Sequence, residues 1–424
     1  MITMNIGAII KLNRINQNLT QEDLADGIIS ISYLSKIENG KIEPNEEVIK
    51  LLCRKLGIQV NNQIDDSIRE KCHEWFRLLL TSSDIAELKK MFGEITELLK
   101  VIHNSELQIL VNIHMIRYYL KIGDTDNAIQ KVNSLKDVSG TFNNLQKYYW
   151  YKFNGNYYSI IEEENEALHN YTLAEDLIPS IELSQEEVAD LQYALSVTYS
   201  KFRLTSEAQS YANKALEYYR QVYHFSRCAE CHLVLGICYR RINNHDKAIK
   251  NYNLAKQLAE STDKKEIILL THLNIGYLYF VKEDTTEAIK HLDIIINDNE
   301  SPIHMRLYAI TSIIGKCYSI NNLEETRKRI QQGLDLINSD NRSKYLAFYY
   351  EILCHLYLID ERNEEFEELM VNKFIPYLKD TKNHAKLTEF SEMLGNYFWK
   401  KHKYKNAATY YNLVNNSYKK IIQI

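Results

Sequence analysis

The chain has 424 residues, a hydrophobic fraction of 45 % and a net charge of −5, which allows an extended core and excludes a polybasic nucleic-acid stripe. No run approaches roughly 18 apolar residues, and the first segment places its apolar residues before its charges, the reverse of a secretory leader. The expected protein is therefore cytoplasmic and not inserted in a membrane. The seven cysteines are odd in number and predict no disulfide framework. Cys228 and Cys231 lack the second ligand pair that a zinc site requires, so no metal is expected.

The first sixty residues carry seven Lys or Arg against seven Asp or Glu, and are neutral. Ile6, Ile9, Ile10 and Leu12 share one face of a first helix ending near 16–18. Thr20 precedes Gln21, Glu22 and Asp23, a hydroxyl N-cap with an acid at the third helical position. Leu24 and Ala25 turn inward on that second helix. After a turn at 27–29, Ser30 or Ser32 caps a third helix with Tyr33, Leu34, Ile37 and Glu38, stopped by Gly40. A fourth helix is predicted over 45–56, closed by Gly57.

Two short helices joined by a turn inside a small bundle form a helix-turn-helix. The strings Thr20-Gln21-Glu22-Asp23-Leu24-Ala25 and Tyr33-Leu34-Ser35-Lys36-Ile37-Glu38-Asn39-Gly40 resemble the Cro/repressor-like family of DNA-binding domains over its whole length. The resemblance implies that Ser32, Tyr33 and Lys36 enter the major groove, that Ser30 and Asn39 flank them on the backbone, and that Gln21 touches phosphate and also buttresses the recognition helix. Lys11, Arg14 and Lys41 are the nearest phosphate cations. Glu38 opposes phosphate and is expected in an internal salt bridge with Arg14. With so few cations one head should bind DNA weakly, and a dimer on a two-fold operator would double its contacts.

A polar linker is expected over 61–67, followed by one repeat domain over 68–424. Ala128, Ala167, Ala208, Ala248 and Ala288 stand 39, 41, 40 and 40 residues apart, and Ala407 lies 119 further on. Five of the six close a phrase that begins with a small residue and a Tyr or Phe, as in Gly155, Tyr158, Ala167 or Gly236, Tyr239, Ala248. A period near 40 with only 4 Pro predicts stacked helical hairpins. The block 148–179 resembles the tetratricopeptide pattern at nearly every position, with Tyr for Trp and Phe, and eight or nine copies are expected. Near 327 and 366 the anchor Ala gives way to Arg327 and Phe366, where packing should loosen or shift. Most of the 31 tyrosines are expected in the core.

The resulting fold class is all-α, a lambda-repressor-like head followed by a right-handed tetratricopeptide superhelix. Counting along the first helix of each hairpin puts Arg117, Asn156, Tyr193, Val197, Lys201, Ile237, Arg240, Asn274, Tyr277, Lys316, Glu351 and Asn396 in its concave groove. Amides can grip an extended peptide backbone and cations can hold a carboxylate, with an intramolecular cap or bridge as the alternative for Asn156 and Asn274. No GxGxxG, Walker, HExxH or GxSxG signature occurs, so neither catalysis nor a cofactor is expected.

A repressor-like head joined to such repeats resembles the RNPP family of quorum-sensing regulators of Gram-positive bacteria, at the length of its NprR branch. The resemblance implies a short signalling peptide in the groove, homodimerisation or higher homo-oligomers through the repeats, and peptide control of binding to a double-stranded operator. It implies two alternatives as well. One is a Rap-like scaffold that sequesters a sporulation response regulator, which can coexist with the first. The other is a phage or plasmid peptide-responsive repressor.

Overall fold

A computed structural model describes residues 6–42, 44–57, 66–82, 84–99 and 105–422. Among them all regular structure is helical. The head contains α1 (Ile6–Asn16), α2 (Gln21–Ala25), α3 (Ile31–Glu38) and α4 (Glu46–Lys55). Its core is Ile10, Leu24, Ala25, Leu34, Ile37, Leu52, Cys53 and Leu56. A Cβ at Gly7 would lie 1.9 Å from the carbonyl oxygen of Ile37, so only glycine lets α1 cross α3 this closely. Residues 61–65 of the expected linker lie outside the described residues, and the next helix begins at Asp66.

The chain divides into two compact units, residues 1–198 and 199–424. The first holds the head with α5 (Asp66–Thr81), α6 (Ile85–Leu99), α7 (Ser105–Lys121), α8 (Thr125–Lys136), α9 (Asn144–Ile160) and α10 (Glu164–Leu177). The helix α11 (Gln185–Lys201) runs through the division. The second unit continues with α12 (Thr205–Gln221), α13 (Phe225–Arg241), α14 (His245–Ser261), α15 (Lys265–Val281) and α16 (Thr285–Asn297). It ends with α17 (Ile303–Ser319), α18 (Leu323–Leu336), α19 (Leu346–Ile359), α20 (Asn363–Leu369), α21 (Ile375–Asp380), α22 (His384–Lys400) and α23 (Tyr404–Ile422). A five-residue π-helical stretch, Met370–Phe374, joins α20 to α21.

One packing rule builds the hairpins. The second helix places a fully buried small residue four positions after its N-cap: Ala128, Ala167, Ala208, Ala248, Ala288 and Ala407 are each 0 % exposed. Four residues further on, an aromatic or aliphatic side chain lies over a small residue of the first helix. Tyr171 covers Gly155, Tyr252 covers Gly236, Leu292 covers Gly276 and Tyr411 covers Gly395. Where the small residue is larger, its partner changes too, and the Cys354 thiol meets the Met370 thioether at 3.0 Å. Volume is thereby conserved from one hairpin to the next.

The expected anchor at 327 is one residue out of register. Asn322 caps α18, so Thr326 falls at the anchor position and is 0 % exposed, with its hydroxyl on the Asn322 carbonyl. Arg327 points outward and pairs with Asp360. Phe366 does occupy an anchor position and is fully buried, and the π-helical stretch follows directly after α20.

Candidate nucleic-acid interface and ligand groove

Local chemistry fixes the head. Thr20 Oγ1 accepts from the Asp23 amide while the Asp23 carboxylate accepts from the Thr20 amide, a reciprocal cap that opens α2. These bonds lower the Asp23 pKa below its ordinary value. Ser30 caps α3 by accepting from the Tyr33 amide at 3.2 Å. Leu34 and Ile37 then face the core, leaving Ser32 and Lys36 exposed and Tyr33 half-buried at its edge. Asn39 and Lys41 are exposed at the far end of α3, where Asn39 donates to the Ser35 carbonyl at 2.7 Å.

Glu38 is withdrawn from this surface. Its carboxylate is 0 % exposed and takes Arg14 Nε at 2.6 Å, Arg14 Nη2 at 3.0 Å and Gln21 Nε2 at 2.7 Å. The expected Arg14 bridge is present. It corrects the place of Arg14 among the phosphate cations, because Arg14 is spent inside the head, while the Gln21 amide takes the buttressing role against α3. Lys11 is corrected as well: its ammonium donates to the Asp137 carbonyl at 2.6 Å, on the first helical hairpins.

That last bond belongs to a contact the sequence reading missed. Leu12 is 1 % exposed, but it leaves the head core and joins Ile109, Ile113 and Ile116 of α7, Leu135 of α8 and Val138 just beyond it. Asn13 reaches the Gln108 amide at 3.5 Å. Three consecutive residues, Lys11, Leu12 and Asn13, therefore seat the head on the first unit's hairpins. The available signal was Leu12 itself, an apolar residue surplus to the head's own core.

In the first unit, α7, α9 and α11 bring Arg117, Lys152 and Asp190 together. Lys152 Nζ lies 3.0 Å from Asp190 Oδ2, and Arg117 Nη2 lies 3.9 Å from Asp190 Oδ1. Burial lowers the Lys152 pKa and the Asp190 charge works against that shift. Arg117 was anticipated; Lys152 and Asp190 were not. Asn156 is 8 % exposed, and its carbonyl oxygen accepts from the Tyr171 hydroxyl at 2.8 Å. Its amide nitrogen and Arg117 Nε are buried donors without a protein partner among the described residues. Tyr193 and Val197 are half-buried on α11.

In the second unit Lys201 is exposed, and Ile237 and Arg240 are half-buried on α13. Arg240 Nε lies 3.4 Å from the Tyr252 hydroxyl. Asn274 donates to the Leu270 carbonyl at 2.8 Å, which leaves its oxygen as an acceptor. Tyr277 accepts from the Ser312 hydroxyl at 2.8 Å, and burial raises its pKa. Lys316 is half-buried. Glu351 departs from a solvated groove residue: it is 6 % exposed and ion-paired with Lys386. Asn396 is exposed, with its oxygen taken by the Tyr411 hydroxyl at 2.7 Å. The amides thus have one free half each, donors at Asn156 and Asn396 and an acceptor at Asn274, the other half being taken by an intramolecular bond.

Among the described residues no helix is long and apolar enough to cross a membrane, and no three His, Cys, Asp or Glu side chains could share a metal ion. All seven cysteines are buried free thiols.

A capped helix-turn-helix presenting Ser32, Tyr33 and Lys36, followed by tetratricopeptide hairpins, defines a transcriptional regulator. A helix-turn-helix family profile matches residues 10–61, and a tetratricopeptide-repeat profile matches residues 229–262. The chain is 32 % identical over 407 residues to the transcriptional activator NprA of Geobacillus stearothermophilus, covering 95 % of this chain and 100 % of that protein. It belongs to the family of that activator, the NprR-type RNPP regulators. It is also 22 % identical over 362 residues to response regulator aspartate phosphatase I of Bacillus subtilis, covering 82 % of this chain and 90 % of that one. Among solved structures it is similar to the apo form of the quorum sensor NprR from B. thuringiensis, with a TM-score of 0.70 at 20 % identity, over 84 % of this chain and 99 % of that one. NprR in complex with its cognate peptide NprX aligns with a TM-score of 0.64 at 20 % identity, over the same shares.

Proposed function

We propose that this chain is a transcriptional regulator whose DNA binding, through residues 1–60, is controlled by a short peptide held along the first helices of its repeats. The carrying observation is the division of labour on α3. Ser32, Tyr33 and Lys36 face outward, while the one carboxylate of the helix is buried and neutralised by Arg14. Such a surface can approach phosphate and read base edges without paying for an opposed charge. Lys41 remains as a phosphate cation, and two heads on a two-fold operator supply affinity that one neutral head lacks. The family of the NprA activator and the peptide complex of NprR support this reading.

The half-free amides of Asn156, Asn274 and Asn396 support peptide holding, since each can complete one backbone hydrogen bond. Peptide and operator are then linked as a population shift, and moving a 1:99 equilibrium to 99:1 needs a bias of about 5.5 kcal/mol. The test selects duplexes from a random pool with the full chain, then measures their affinity with and without peptides recovered from spent culture medium. A selected sequence whose affinity changes with the peptide fraction is expected. Absence of any selected sequence overturns the DNA-binding assignment. Unchanged peptide affinity in both Asn156→Ala and Asn274→Ala removes the groove assignment.

The match to aspartate phosphatase I across 82 % of the chain favours a coexisting role, restraint of a response regulator by the repeats. A chain lacking residues 1–60 should still retain a response regulator from a lysate if that role is present.

A further inference from the structure

A pocket of the second unit holds a carboxylate, Glu389, that makes no hydrogen bond or ion pair among the described residues. A pocket of about 560 Å³ between α17, α19 and α22 is lined in part by Tyr318, His355, Glu389, Glu392, Asn396 and Lys400, a volume that suits a peptide side chain and its neighbours. His355 is 2 % exposed. Its Nδ1 lies 2.9 Å from the Glu351 carbonyl oxygen, which places the proton there and leaves Nε2 a bare acceptor. Burial lowers its pKa, so the ring is neutral at pH 7. Among the described residues Nε2 has no hydrogen-bond partner.

Glu351 is already taken by Lys386. Glu389 has no hydrogen bond or ion pair of its own among the described residues. It is exposed at the pocket mouth, and desolvation with the Glu351 charge raises its pKa against the opposing charge of Lys386. Lys400 and Lys401 also line the pocket, but both are exposed and solvated, and Lys401 lies over the Tyr397 ring. Lys386, the cation whose charge reaches it, is bonded to Glu351, so Glu389 gains a direct counter-ion only when another cation enters the pocket.

We infer that this pocket is a subsite for a cationic nitrogen of the bound peptide, with the Glu389 carboxylate as counter-ion and His355 Nε2 as a hydrogen-bond acceptor. The nitrogen is either the N-terminal ammonium or a Lys or Arg side chain. The Asn396 amide, whose oxygen is held by Tyr411, is then placed to donate to a neighbouring peptide carbonyl. The inference rests on the peptide reading above and adds a chemical class to it.

The test passes a random pentapeptide library over the immobilised full chain and sequences what is retained, once with free N-termini and once with acetylated ones. The wild type should enrich Lys or Arg at one position in both libraries, or retain free over acetylated peptides. Glu389→Gln is isosteric and should lower that enrichment at least tenfold while still retaining peptides. Glu392→Gln, beside it on α22, should lower it less. Retained peptides without a cationic preference, or a preference unchanged in Glu389→Gln, overturn the subsite and leave the peptide reading standing. No retention by the wild type overturns both.

Discussion

Tyr171 lies flat over Gly155: a Cβ built on that glycine would stand 2.5 Å from Tyr171 Cε1 and 2.6 Å from Cδ1. The same ring sends its hydroxyl to Asn156, so one Gly-Asn step both receives the ring and satisfies its buried oxygen. The motif recurs at Gly395, Asn396 and Tyr411. Gly155→Ala should therefore overpack the α9–α10 hairpin and cost about 1–3 kcal/mol. The control is Gly93→Ala. Gly93 is mid-helix in α6 with nothing within 4 Å of a new Cβ, and removing its backbone freedom should stabilise by about 0.5–1 kcal/mol. Denaturant titration of the two variants should move in opposite directions.

The repeats were legible because this packing rule leaves traces at fixed spacing. Ala167 and Gly155 are twelve residues apart in every good copy, whatever lies between. The register near 327 was misread because a β-branched polar residue, Thr326, replaces Ala at the anchor and a neighbouring Arg lands where a period of 40 points. Head chemistry was legible wherever it is local, as in the Thr20–Asp23 cap and the Ser30 cap. Contacts distant in sequence were not. Nothing in the string around Lys11 announces Asp137, and nothing around Lys152 announces Asp190. Groove counting placed each Asn on a first helix but could not show which half of its amide was already bonded.

Leu12 gives the head a fixed seat on α7 and α8. Leu12→Ala empties a site that is 1 % exposed and should cost about 2–5 kcal/mol at that interface. The head core, built around Ile10, Leu34 and Leu52, is left intact. Hydrogen exchange should show faster exchange in α1 and α8 with α3 and α4 little changed. Uniform acceleration through the head would mean that Leu12 belongs to the head core after all.

Glu38 and Lys36 sit two residues apart on α3 and should fail differently. Removing Glu38 strands the Arg14 guanidinium, whose side chain is 11 % exposed, and breaking such a pair costs about 3–5 kcal/mol. Glu38→Ala should lose DNA binding because the head unfolds, visible as an early thermal transition. Lys36→Ala should keep the wild-type melt. If Lys36 meets a phosphate, the variant weakens binding to all sequences and reduces the salt slope by about one. A Glu38→Ala head with an unchanged melt would show that the buried pair contributes nothing.

His272 and His291 bridge α15 and α16 through Nδ1 atoms 2.9 Å apart, so one ring donates and the other accepts. One hairpin earlier the same bridge is made by His232 and Asn251. The bridge needs one neutral ring as its acceptor, so it is broken once both rings are protonated. Desolvation, the His291 charge and Lys256 lower the His272 pKa to about 4, against 6.5 when unperturbed. Between those values the unfolded chain binds a proton that the folded chain refuses, so the sign is fixed: stability is complete above pH 6.5 and drains away as pH falls toward 4. His291→Asn copies the neighbouring hairpin and removes one charge from beside His272. Thermal melts of wild type from pH 7.5 to 4.5 should fall through this window, and those of His291→Asn should fall less steeply. Parallel profiles would place the acid sensitivity elsewhere, with the fully buried His114, whose pKa burial lowers to about 3, as the next group to replace.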